Sequence, residues 1–248
     1  MKEEYCMEVR VKIQRFDPDQ DAGPQFKEYA VNGKKTDRIL DLLMRIKRHQ
    51  DGSLALRKSC AHGVCGSDAM IINGTERLAC KTLVQDVVDE EGGVITVEPL
   101  TNLPVQKDLM VDQEEFFKRY RSVKPFFIQK EQPPQREWLQ SPEERKSIDD
   151  ATKCILCASC YSACPVLREK NPSFLGPAQI VQAQRFNDDS RDSGFEQRLE
   201  ALDTTDGVWA CENHFQCTKV CPRGIKVTKL INQTKRSIKK FKDSKKGC

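Results

Sequence analysis

The chain has 248 residues, of which 38% are hydrophobic and 31% charged, a composition typical of a soluble globular protein with room for two modest domains. No stretch approaches the roughly 18–20 continuous apolar residues that a membrane-crossing helix needs, which excludes an integral membrane protein. The net charge is +4, but it is concentrated near the C-terminus, where nine basic residues stand against Asp243 alone between Lys226 and Lys246.

The N-terminal part of the chain combines strand and helix patterns. It begins without the apolar core of a secretory signal or the Arg- and Ser-rich character of a transit peptide, so we expect a bacterial or archaeal cytoplasmic chain, or a eukaryotic one already trimmed. Apolar and polar side chains alternate over residues 7–14, which predicts a half-buried strand, and a second short strand is predicted over 26–31. Apolar residues from Ile39 to Ile46 mark one face of a helix, for which Thr36 or Asp37 is the expected N-cap.

Further strands complete the pattern of a small α+β domain. The dipeptide Asn73-Gly74 favours a tight hairpin turn between two strands, and residues 94–97 predict a last strand. Strands around a single helix predict a β-grasp domain over residues 1–106.

Helical patterns replace strands after residue 106. A polar connection comes first, punctuated by Pro125, Pro133 and Pro134. Three helices are then predicted, one starting at Pro142 behind a Ser141 cap, one over residues 177–186 and one over residues 227–241. Residues 107–248 are therefore expected to form a mainly α-helical domain with cysteine-bearing loops.

The 12 cysteines are the main chemical signal of the sequence. Most of them fall into two spacing patterns with short gaps, and in a reducing cytoplasm such clusters indicate metal ligation rather than a disulfide framework. Cys6 and Cys248 lie outside these patterns, and we interpret both as incidental thiols.

The first pattern is Cys60-x4-Cys65-x2-Asp68-x11-Cys80, between the predicted helix and the end of the hairpin. Plant-type 2Fe–2S ferredoxins use Cys-x4-Cys-x2-Cys with a distant fourth cysteine. Asp68 stands where the third cysteine belongs, and because a carboxylate can ligate iron we predict a 2Fe–2S site of Cys60, Cys65, Asp68 and Cys80. The alternative is that Asp68 is a solvated loop residue and a neighbour such as Ser67 ligates that iron.

The second pattern occurs twice in the C-terminal part. Cys154-x2-Cys157-x2-Cys160-x3-Cys164-Pro165 is a complete bacterial-ferredoxin run, and Cys211-x2-His214-x2-Cys217-x3-Cys221-Pro222 repeats its frame with His214 in second place. Zinc sites usually separate their cysteine pairs by a dozen or more residues, so four thiolates this close together suit a cubane cluster better.

In two-cluster ferredoxins the cysteine before proline serves the other cluster, and this crossover divides the two runs into two sites. One site has four thiolates and suits a 4Fe–4S cluster, and its members are Cys154, Cys157, Cys160 and Cys221. The other has three thiolates and suits a 3Fe–4S cluster, and its members are Cys164, Cys211 and Cys217. The alternative at the second site is a 4Fe–4S cluster whose odd iron is held by His214.

Four segments together resemble the iron–sulfur subunit of succinate dehydrogenase and quinol:fumarate reductase. They are SCAHGVCGSD (59–68), CILCASCYSACP (154–165), NPSFLGP (171–177) and CTKVCPRGI (217–225). The resemblance extends from Val9 to about residue 240, and some bacterial succinate dehydrogenases of this family also have Asp at the position of Asp68.

The resemblance implies an electron-transfer subunit in which no residue touches the dicarboxylate. A separate flavoprotein subunit would oxidise succinate on covalently attached FAD, and electrons would pass singly in the order 2Fe–2S, 4Fe–4S, 3Fe–4S. A membrane-anchor subunit would hold a quinone, and often haem b, beside the last cluster, so the chain would be a peripheral subunit on the cytoplasmic face of a bacterial membrane. Quinol:fumarate reduction uses the same subunit, so the physiological direction stays open.

The chain differs from other members of this family at three positions. Many relatives have Arg where this chain has Ala61, and ubiquinone-using relatives have Trp and His where it has Lys170 and Glu212. We therefore predict no individual quinone contact, and menaquinone is as acceptable as ubiquinone. The stretch from Cys164 to Cys217 is still expected near the membrane partner, because it encloses the three-thiolate site.

Two other functional classes compete with this interpretation. A soluble redox protein, either a free ferredoxin or the subunit of a thiol-driven fumarate reductase, would purify without membrane partners. A zinc module that binds nucleic acid through the lysine-rich tail would show a steep salt dependence of binding, but the cysteine spacing argues against a nucleic-acid partner. For the tail we favour a solvated helix face over contact with anionic lipid headgroups.

Overall fold

A computed structural model describes residues 7–88, 93–132 and 134–246. The chain divides into two compact units. The first contains the residues through Gln113 together with Cys157–Ser162, and the second contains Glu114–Leu156 together with the residues from Ala163 onward. Cys6, Pro133 and Cys248 lie outside the described residues, so the interpretation of the two cysteines as incidental thiols stays a prediction.

The first unit is built on a five-stranded sheet. Its strands are β1 (Met7–Arg15), β2 (Gln25–Gly33), β3 (Ala69–Ile72), β4 (Thr75–Leu78) and β5 (Val94–Glu98), in the spatial order β2-β1-β5-β3-β4. β1 pairs antiparallel with β2 and parallel with β5, while β3 pairs antiparallel with β4 and β5. The predicted strands are confirmed, and Asn73 and Gly74 have φ values of 48° and 72°, as a two-residue hairpin turn requires.

Helix α1 (Ile39–His49) belongs to the same unit and packs against β2. It buries the predicted apolar face, and on β1 the alternate residues Val9, Val11 and Ile13 are fully buried. A helix with one apolar face and strands with strict alternation can bury those faces only against each other, which gives a β-grasp core.

The prediction of Thr36 or Asp37 as the N-cap of α1 is wrong, because the helix is capped at Arg38. The Asp37 carboxylate instead accepts hydrogen bonds from the Lys34 N–H, three residues earlier, and from the Arg45 guanidinium, two turns further along the chain. The Asp41 carboxylate accepts the Arg38 N–H instead, at 3.0 Å.

The first unit also contains elements that the sequence patterns did not reveal. A small antiparallel hairpin of β6 (Val105–Lys107) and β7 (Met110–Val111) spans residue 106, and the domain boundary expected there stays a prediction. The one-turn helix α4 (Ser159–Ser162) joins this unit through hydrogen bonds: the Thr101 N–H donates to Ser162 Oγ at 3.0 Å, and the Asn102 amide donates to the Tyr161 and Ser162 carbonyls at 2.9 Å.

The second unit is helical. Its helices are α2 (Glu114–Ser122), α3 (Pro142–Thr152), α5 (Pro177–Asn187), α6 (Phe195–Leu202), α7 (Gln216–Lys219) and α8 (Val227–Lys246), with shorter turns at Val166–Lys170 and Val208–Ala210. Helix α5 is buried along nearly its whole length and contacts α2, α3, α6 and α8, so it forms the centre of the unit. In the part of the chain that is described, no helix is long and apolar enough to cross a membrane.

The three predicted helices are confirmed as α3, α5 and α8. The predicted cap of α3 is confirmed in atomic detail: Ser141 Oγ accepts the Glu144 N–H at 3.2 Å, and the Glu144 carboxylate accepts the Ser141 N–H at 2.7 Å. Helices α2 and α6 were not predicted, because α2 exposes most of its residues and α6 is only two turns long.

Candidate functional site

The first predicted site is built by the loop between α1 and β3, together with Cys80 directly after β4. The loop turns sharply because Ala61, Gly63 and Gly66 have positive φ values of 57°, 82° and 70°. Glycine adopts this conformation without steric cost, which explains two glycines within one short loop. The structure thereby brings the loop against Cys80, whose sulfur interacts with the Gly63 N–H and with the Cys60 thiol.

Main-chain N–H groups of this loop converge on the Cys60 sulfur. The N–H groups of His62, Val64 and Cys65 donate to Cys60 Sγ over 3.5, 3.4 and 3.3 Å. These hydrogen bonds, that of His62 first, lower the pKa of the Cys60 thiol to about 6. The loop therefore favours a thiolate, the form that ligates iron.

Asp68 and Cys80 form the buried side of the same site, each 2% exposed. One oxygen of the carboxylate, Oδ2, accepts the Cys80 N–H at 2.6 Å. The other, Oδ1, is buried and has no hydrogen-bond partner among the described residues. Burial and the neighbouring Asp68 carboxylate raise the pKa of the Cys80 thiol to about 12.

This pair of buried acidic groups fits a cluster-bound iron. A carboxylate oxygen without a partner and a thiol beside it are costly to ionise together unless a cation lies between them. Ser67, the alternative ligand, places its hydroxyl 3.1 Å from Cys65 Sγ. The solvated-loop alternative for Asp68 disagrees with its burial, and its role as a ligand stays a prediction.

The three-cysteine site of the C-terminal part is a single cavity in the helical unit. Cys164, Cys211 and Cys217 line it together with the apolar side chains Val166, Phe174, Pro177 and Ile231. The three thiols interact electrostatically, and burial raises the pKa values of Cys164 and Cys217. The structure therefore brings together the three cysteines that the crossover assigns to one cluster.

His214 also lines this cavity, but its ring is engaged elsewhere. Its Nε2 lies 3.0 Å from the Glu212 carboxylate, and the side chain is 40% exposed. A carboxylate partner and solvent satisfy an imidazole without iron, so this geometry favours a non-ligating histidine.

Half of the four-thiolate site is also described within the helical unit. Burial raises the pKa of the Cys154 thiol, the Gln182 side chain donates a hydrogen bond to its sulfur, and Cys221 from the second run interacts with it electrostatically. The approach of Cys221 to Cys154 agrees with the predicted crossover. Cys157 and Cys160 belong to the other compact unit, so the complete four-thiolate set stays a prediction.

The two cysteine runs share a backbone signature. Leu156 and Ala158, on either side of Cys157, have φ values of 54° and 63°, and Asn213 and Phe215, on either side of His214, have 61° and 63°. Non-glycine residues adopt this conformation rarely, so its repetition at equivalent positions shows that the second run keeps the cluster-loop geometry even where histidine replaces cysteine.

Two of the three departures from the family pattern contact each other. Lys170 Nζ lies 2.5 Å from the Glu212 carboxylate, which also contacts the His214 ring. The three residues therefore form one hydrogen-bonded network at the three-cysteine cavity. At the third departure, the Arg38 guanidinium donates to the Ala61 carbonyl at 2.5 Å. A guanidinium therefore reaches the residue after Cys60 from the N-cap of α1.

Sequence reasoning missed the side chains that donate hydrogen bonds to the cysteine sulfurs. Gln182 and Thr228 are both buried polar residues in helices, and they act on Cys154 and Cys217 respectively. The sequence feature that could have revealed Thr228 is its place among the apolar residues at the start of the helix that follows the second cysteine run.

The lysine-rich helix α8 is partly engaged within the unit. Lys235 donates to the Cys211 carbonyl at 2.7 Å, Lys242 pairs with Asp203 at 2.6 Å, Lys245 pairs with Glu196 at 3.4 Å, and Lys239 lies over the Trp209 ring. These contacts favour the interpretation of α8 as a solvated face on the cluster domain.

All ten cysteines within the described ranges are free thiols. Over the same ranges, no group of three or more His, Cys, Asp or Glu side chains is spaced to hold a single metal ion. A cluster separates its ligands by its own bulk, so this spacing concerns single ions alone.

Residues 10–118 match the 2Fe–2S iron–sulfur cluster binding domain, and residues 150–225 match the 4Fe–4S dicluster domain. The first match contains the Cys60–Cys80 pattern and the second contains both C-terminal runs. They confirm the α+β fold class, with a ferredoxin-type domain followed by a helical cluster-binding region, and they confirm the 2Fe–2S and 4Fe–4S cofactors.

The chain is 40% identical over 229 residues to the fumarate reductase iron-sulfur subunit of Mycobacterium tuberculosis, covering 92% of this chain and 91% of that protein. It is 40% identical over 226 residues to the succinate dehydrogenase iron-sulfur subunit of Coxiella burnetii, covering 89% and 93%. It is 38% identical over 227 residues to the corresponding subunit of Paracoccus denitrificans, covering 91% and 86%.

Among solved structures, the chain is similar to one from the "Mycobacterium smegmatis Sdh1 complex in the apo form", with a TM-score of 0.82 and 27% identity over 96% of this chain and 98% of that one. Relatives with this level of identity over almost their whole length share a family. The chain belongs to the family of succinate dehydrogenase and fumarate reductase iron–sulfur subunits, the electron-transfer subunits of an oxidoreductase complex.

Proposed function

We propose that this chain carries electrons between the FAD of a separate flavoprotein subunit and a quinone held by a membrane-anchor subunit, in a succinate:quinone oxidoreductase. It acts as a peripheral subunit on the cytoplasmic face of the membrane, and haem b belongs to the anchor. The observation that carries the proposal is the cavity of Cys164, Cys211 and Cys217, because this redox chain requires a three-thiolate site in the same polypeptide as a 2Fe–2S domain.

The proposed ligands are those predicted from the sequence. The 2Fe–2S site uses Cys60, Cys65, Asp68 and Cys80, the 4Fe–4S site uses Cys154, Cys157, Cys160 and Cys221, and the 3Fe–4S site uses Cys164, Cys211 and Cys217. The free Oδ1 of Asp68 and the mutually interacting thiols support these sets. When bound, the clusters supply one-electron carriers between a two-electron donor and a quinone.

The chain itself prepares the surroundings of these sites. Apolar side chains such as Phe174 and Ile231 exclude water from the three-cysteine cavity. Hydrogen bonds to cysteine sulfur stabilise the more negative, reduced state, and they come from main-chain N–H groups at Cys60 and from Gln182 at Cys154. No residue of the chain is assigned to the dicarboxylate.

The test is to purify the complex from membranes and to identify its subunits, flavin, quinone and haem. We expect an EPR signal of a 3Fe–4S cluster in the oxidised complex and of a 2Fe–2S cluster after reduction, together with succinate:quinone reductase activity. A preparation that contains zinc without iron or acid-labile sulfide would contradict the proposal.

The same purification distinguishes the proposed function from two alternatives. Equal identity to a fumarate reductase subunit and to a succinate dehydrogenase subunit supports either direction, and the ratio of succinate oxidation to fumarate reduction in the purified complex decides between them. Isolation from the soluble fraction, without an anchor subunit or quinone activity, would instead indicate a ferredoxin-like protein or a thiol-driven fumarate reductase subunit.

A further inference from the structure

Two threonines contact each other at the three-cysteine cavity, which Thr228 lines. Cys217 is 8% exposed and Thr228, in the first turn of α8, is 2% exposed. Thr228 Oγ1 lies 3.5 Å from Cys217 Sγ and 3.0 Å from Thr218 Oγ1. The Thr228 N–H in turn donates to Thr218 Oγ1 at 3.0 Å.

The directions of these three hydrogen bonds follow from counting protons. A cysteine that ligates iron is a thiolate, so its sulfur can only accept, and the Thr228 hydroxyl must donate to it. Thr228 then has no proton left for its contact with Thr218, so the Thr218 hydroxyl donates either to Thr228 Oγ1 or to the Cys217 sulfur itself. The third hydrogen bond has a fixed direction, because the Thr228 N–H donates to Thr218 Oγ1.

We propose that Thr218 and Thr228 form a hydrogen-bond relay that donates to the Cys217 sulfur and raises the reduction potential of the cluster held there. The relay rests on the proposed assignment of Cys217 as a ligand. Reduction adds negative charge, and part of that charge resides on the ligand sulfurs, so a hydroxyl proton directed at one of them stabilises the reduced state. The effect is large in a buried cavity, because little water screens it.

The other described donors to this site are of a different kind. Cys164 receives hydrogen bonds from the main-chain N–H groups of Val166 and Leu167, which no side-chain substitution removes. The hydroxyls of Thr228 and Thr218 are therefore the places where a single side-chain change alters a hydrogen bond to this cluster while the cysteines stay intact.

The first test compares valine and serine at position 228 in the purified complex. Thr228→Val keeps the side-chain shape and removes the hydroxyl, so we expect a lower midpoint potential of the three-cysteine cluster in a redox titration followed by EPR. Thr228→Ser keeps the hydroxyl and is expected to titrate close to the unsubstituted complex. Thr218→Val is expected to shift the potential in the same direction by less, because the hydrogen bond from Thr228, the stronger of the two side-chain hydrogen bonds to Cys217, is kept.

The matched control is Thr234→Val on the same helix. Thr234 is also fully buried, but its hydroxyl lies 2.7 Å from the Gln184 side chain and 3.0 Å from the Leu230 carbonyl, away from the cysteines. We expect no change of potential in this variant. A shift equal to that of Thr228→Val would overturn the relay, because it would show that packing of α8, rather than the hydrogen bond, sets the potential.

A second measurement detects the proton itself. In the oxidised complex, electron–nuclear double resonance before and after exchange into D₂O should show one exchangeable proton coupling, beyond those of the main-chain N–H groups, that is present with Thr228→Ser and absent with Thr228→Val. An unchanged coupling and an unchanged potential in Thr228→Val would overturn the proposal. Thr228→Ala provides the same comparison if the valine variant does not assemble.

A cysteine variant separates failure of the relay from failure of the ligand assignment. Cys217→Ala should lose the three-cysteine cluster, seen as loss of its EPR signal and of iron. If the signal and the iron content persist, Cys217 is not a ligand and the proposed function must be revised. If they are lost while Thr228→Val titrates normally, only the relay is wrong.

Discussion

The loop around Cys60 and the cavity around Cys217 prepare sulfur for iron in opposite ways. Cys65 lies at the surface, and Cys60 receives three main-chain N–H groups that lower its pKa to about 6. Cys164 and Cys217 are buried, and burial raises their pKa values. Cys60 is therefore held ready as a thiolate before iron arrives, whereas Cys164 and Cys217, like Cys80 on the buried side of the first site, stay neutral thiols until iron replaces their protons.

This difference determines which substitutions should change the properties of the cluster at each site. At the loop the donors are backbone groups, so only changes that alter backbone conformation or a ligand itself should matter. At the cavity the hydrogen-bond donors include the hydroxyl of Thr228, and His214 stands where a fourth cysteine ligand would be. Single side-chain changes there should therefore alter the cluster without removing it. The predictions below test this contrast, beginning with the largest expected effect.

Replacing Asp68 should abolish the 2Fe–2S site. Asp68→Ala removes the proposed ligand and also leaves the Cys80 N–H without its acceptor, so we expect loss of the 2Fe–2S EPR signal from the purified complex. Asp68→Cys restores a four-thiolate set and should retain a cluster with a changed signal. Ser67→Ala is the control, and a full 2Fe–2S signal in Asp68→Ala would show that Asp68 is not a ligand.

Replacing His214 should change the type of cluster in the cavity. The backbone on both sides of His214 matches that around Cys157, so His214→Cys supplies a thiolate at a corner that is already formed. We expect the oxidised 3Fe–4S signal to disappear and the iron content to rise towards a 4Fe–4S cluster. Glu212→Gln, which weakens the contact to His214 without adding a ligand, is the control. An unchanged spectrum after reconstitution with iron would contradict our assignment of this corner.

The stability of the first unit should depend on one ionic network around Asp51. The Asp51 carboxylate, 12% exposed, accepts hydrogen bonds from Lys27, Tyr29 and Arg15 between 2.7 and 2.8 Å. Hydrogen bonds to the Asp51 carboxylate lower its pKa far below the ordinary value. The bond from Lys27 contributes most, followed by those from Ser53, Tyr29 and Arg15. Asp51→Asn should lower the free energy of unfolding of this unit by about 2 kcal/mol at pH 7, because it removes charge-assisted hydrogen bonds.

The pH dependence of that difference has a defined sign. A carboxylate with a depressed pKa stabilises the folded state fully above its unfolded pKa of about 3.9, and the contribution is lost as the pH falls below that value. The difference in unfolding free energy between the natural chain and Asp51→Asn should therefore be full at neutral pH and shrink in acid, measured from their urea midpoints by circular dichroism, because the cluster itself decomposes in acid. Asp19→Asn, at an exposed turn, should show no such difference.

A pair of glycine substitutions gives the smallest and most specific effect. Gly63 and Gly74 have φ values of 82° and 72°, so alanine at either position should cost about 1 kcal/mol of unfolding free energy. A Cβ at Gly74 meets nothing within 4 Å, whereas one at Gly63 lies 2.7 Å from the flexible Lys81 side chain. Only Gly63→Ala should also alter the 2Fe–2S spectrum, because the Gly63 N–H donates to Cys80. Equal spectra in both variants would show that the loop backbone does not tune the cluster.

Much of the fold was predictable because its signals are local. Alternation in β1, the apolar face of α1 and the Ser141 cap are each encoded within a few neighbouring residues, and all three formed as predicted. The N-cap of α1 was predicted wrongly because Asp37 has competing partners, one of which, Arg45, lies two turns further along the chain. The hairpin β6–β7 was missed because its two strands have only three and two residues.

The sequence by itself determined the cluster types, because ligands a few residues apart are constrained by the length of the chain that joins them. Only the tertiary structure decided which groups surround the sulfurs: the pairing of Lys170 with Glu212, the engagement of His214 and the hydroxyl of Thr228 at Cys217. Such contacts join separate segments of the chain, and they exist only after packing of the apolar helix faces has brought those segments together.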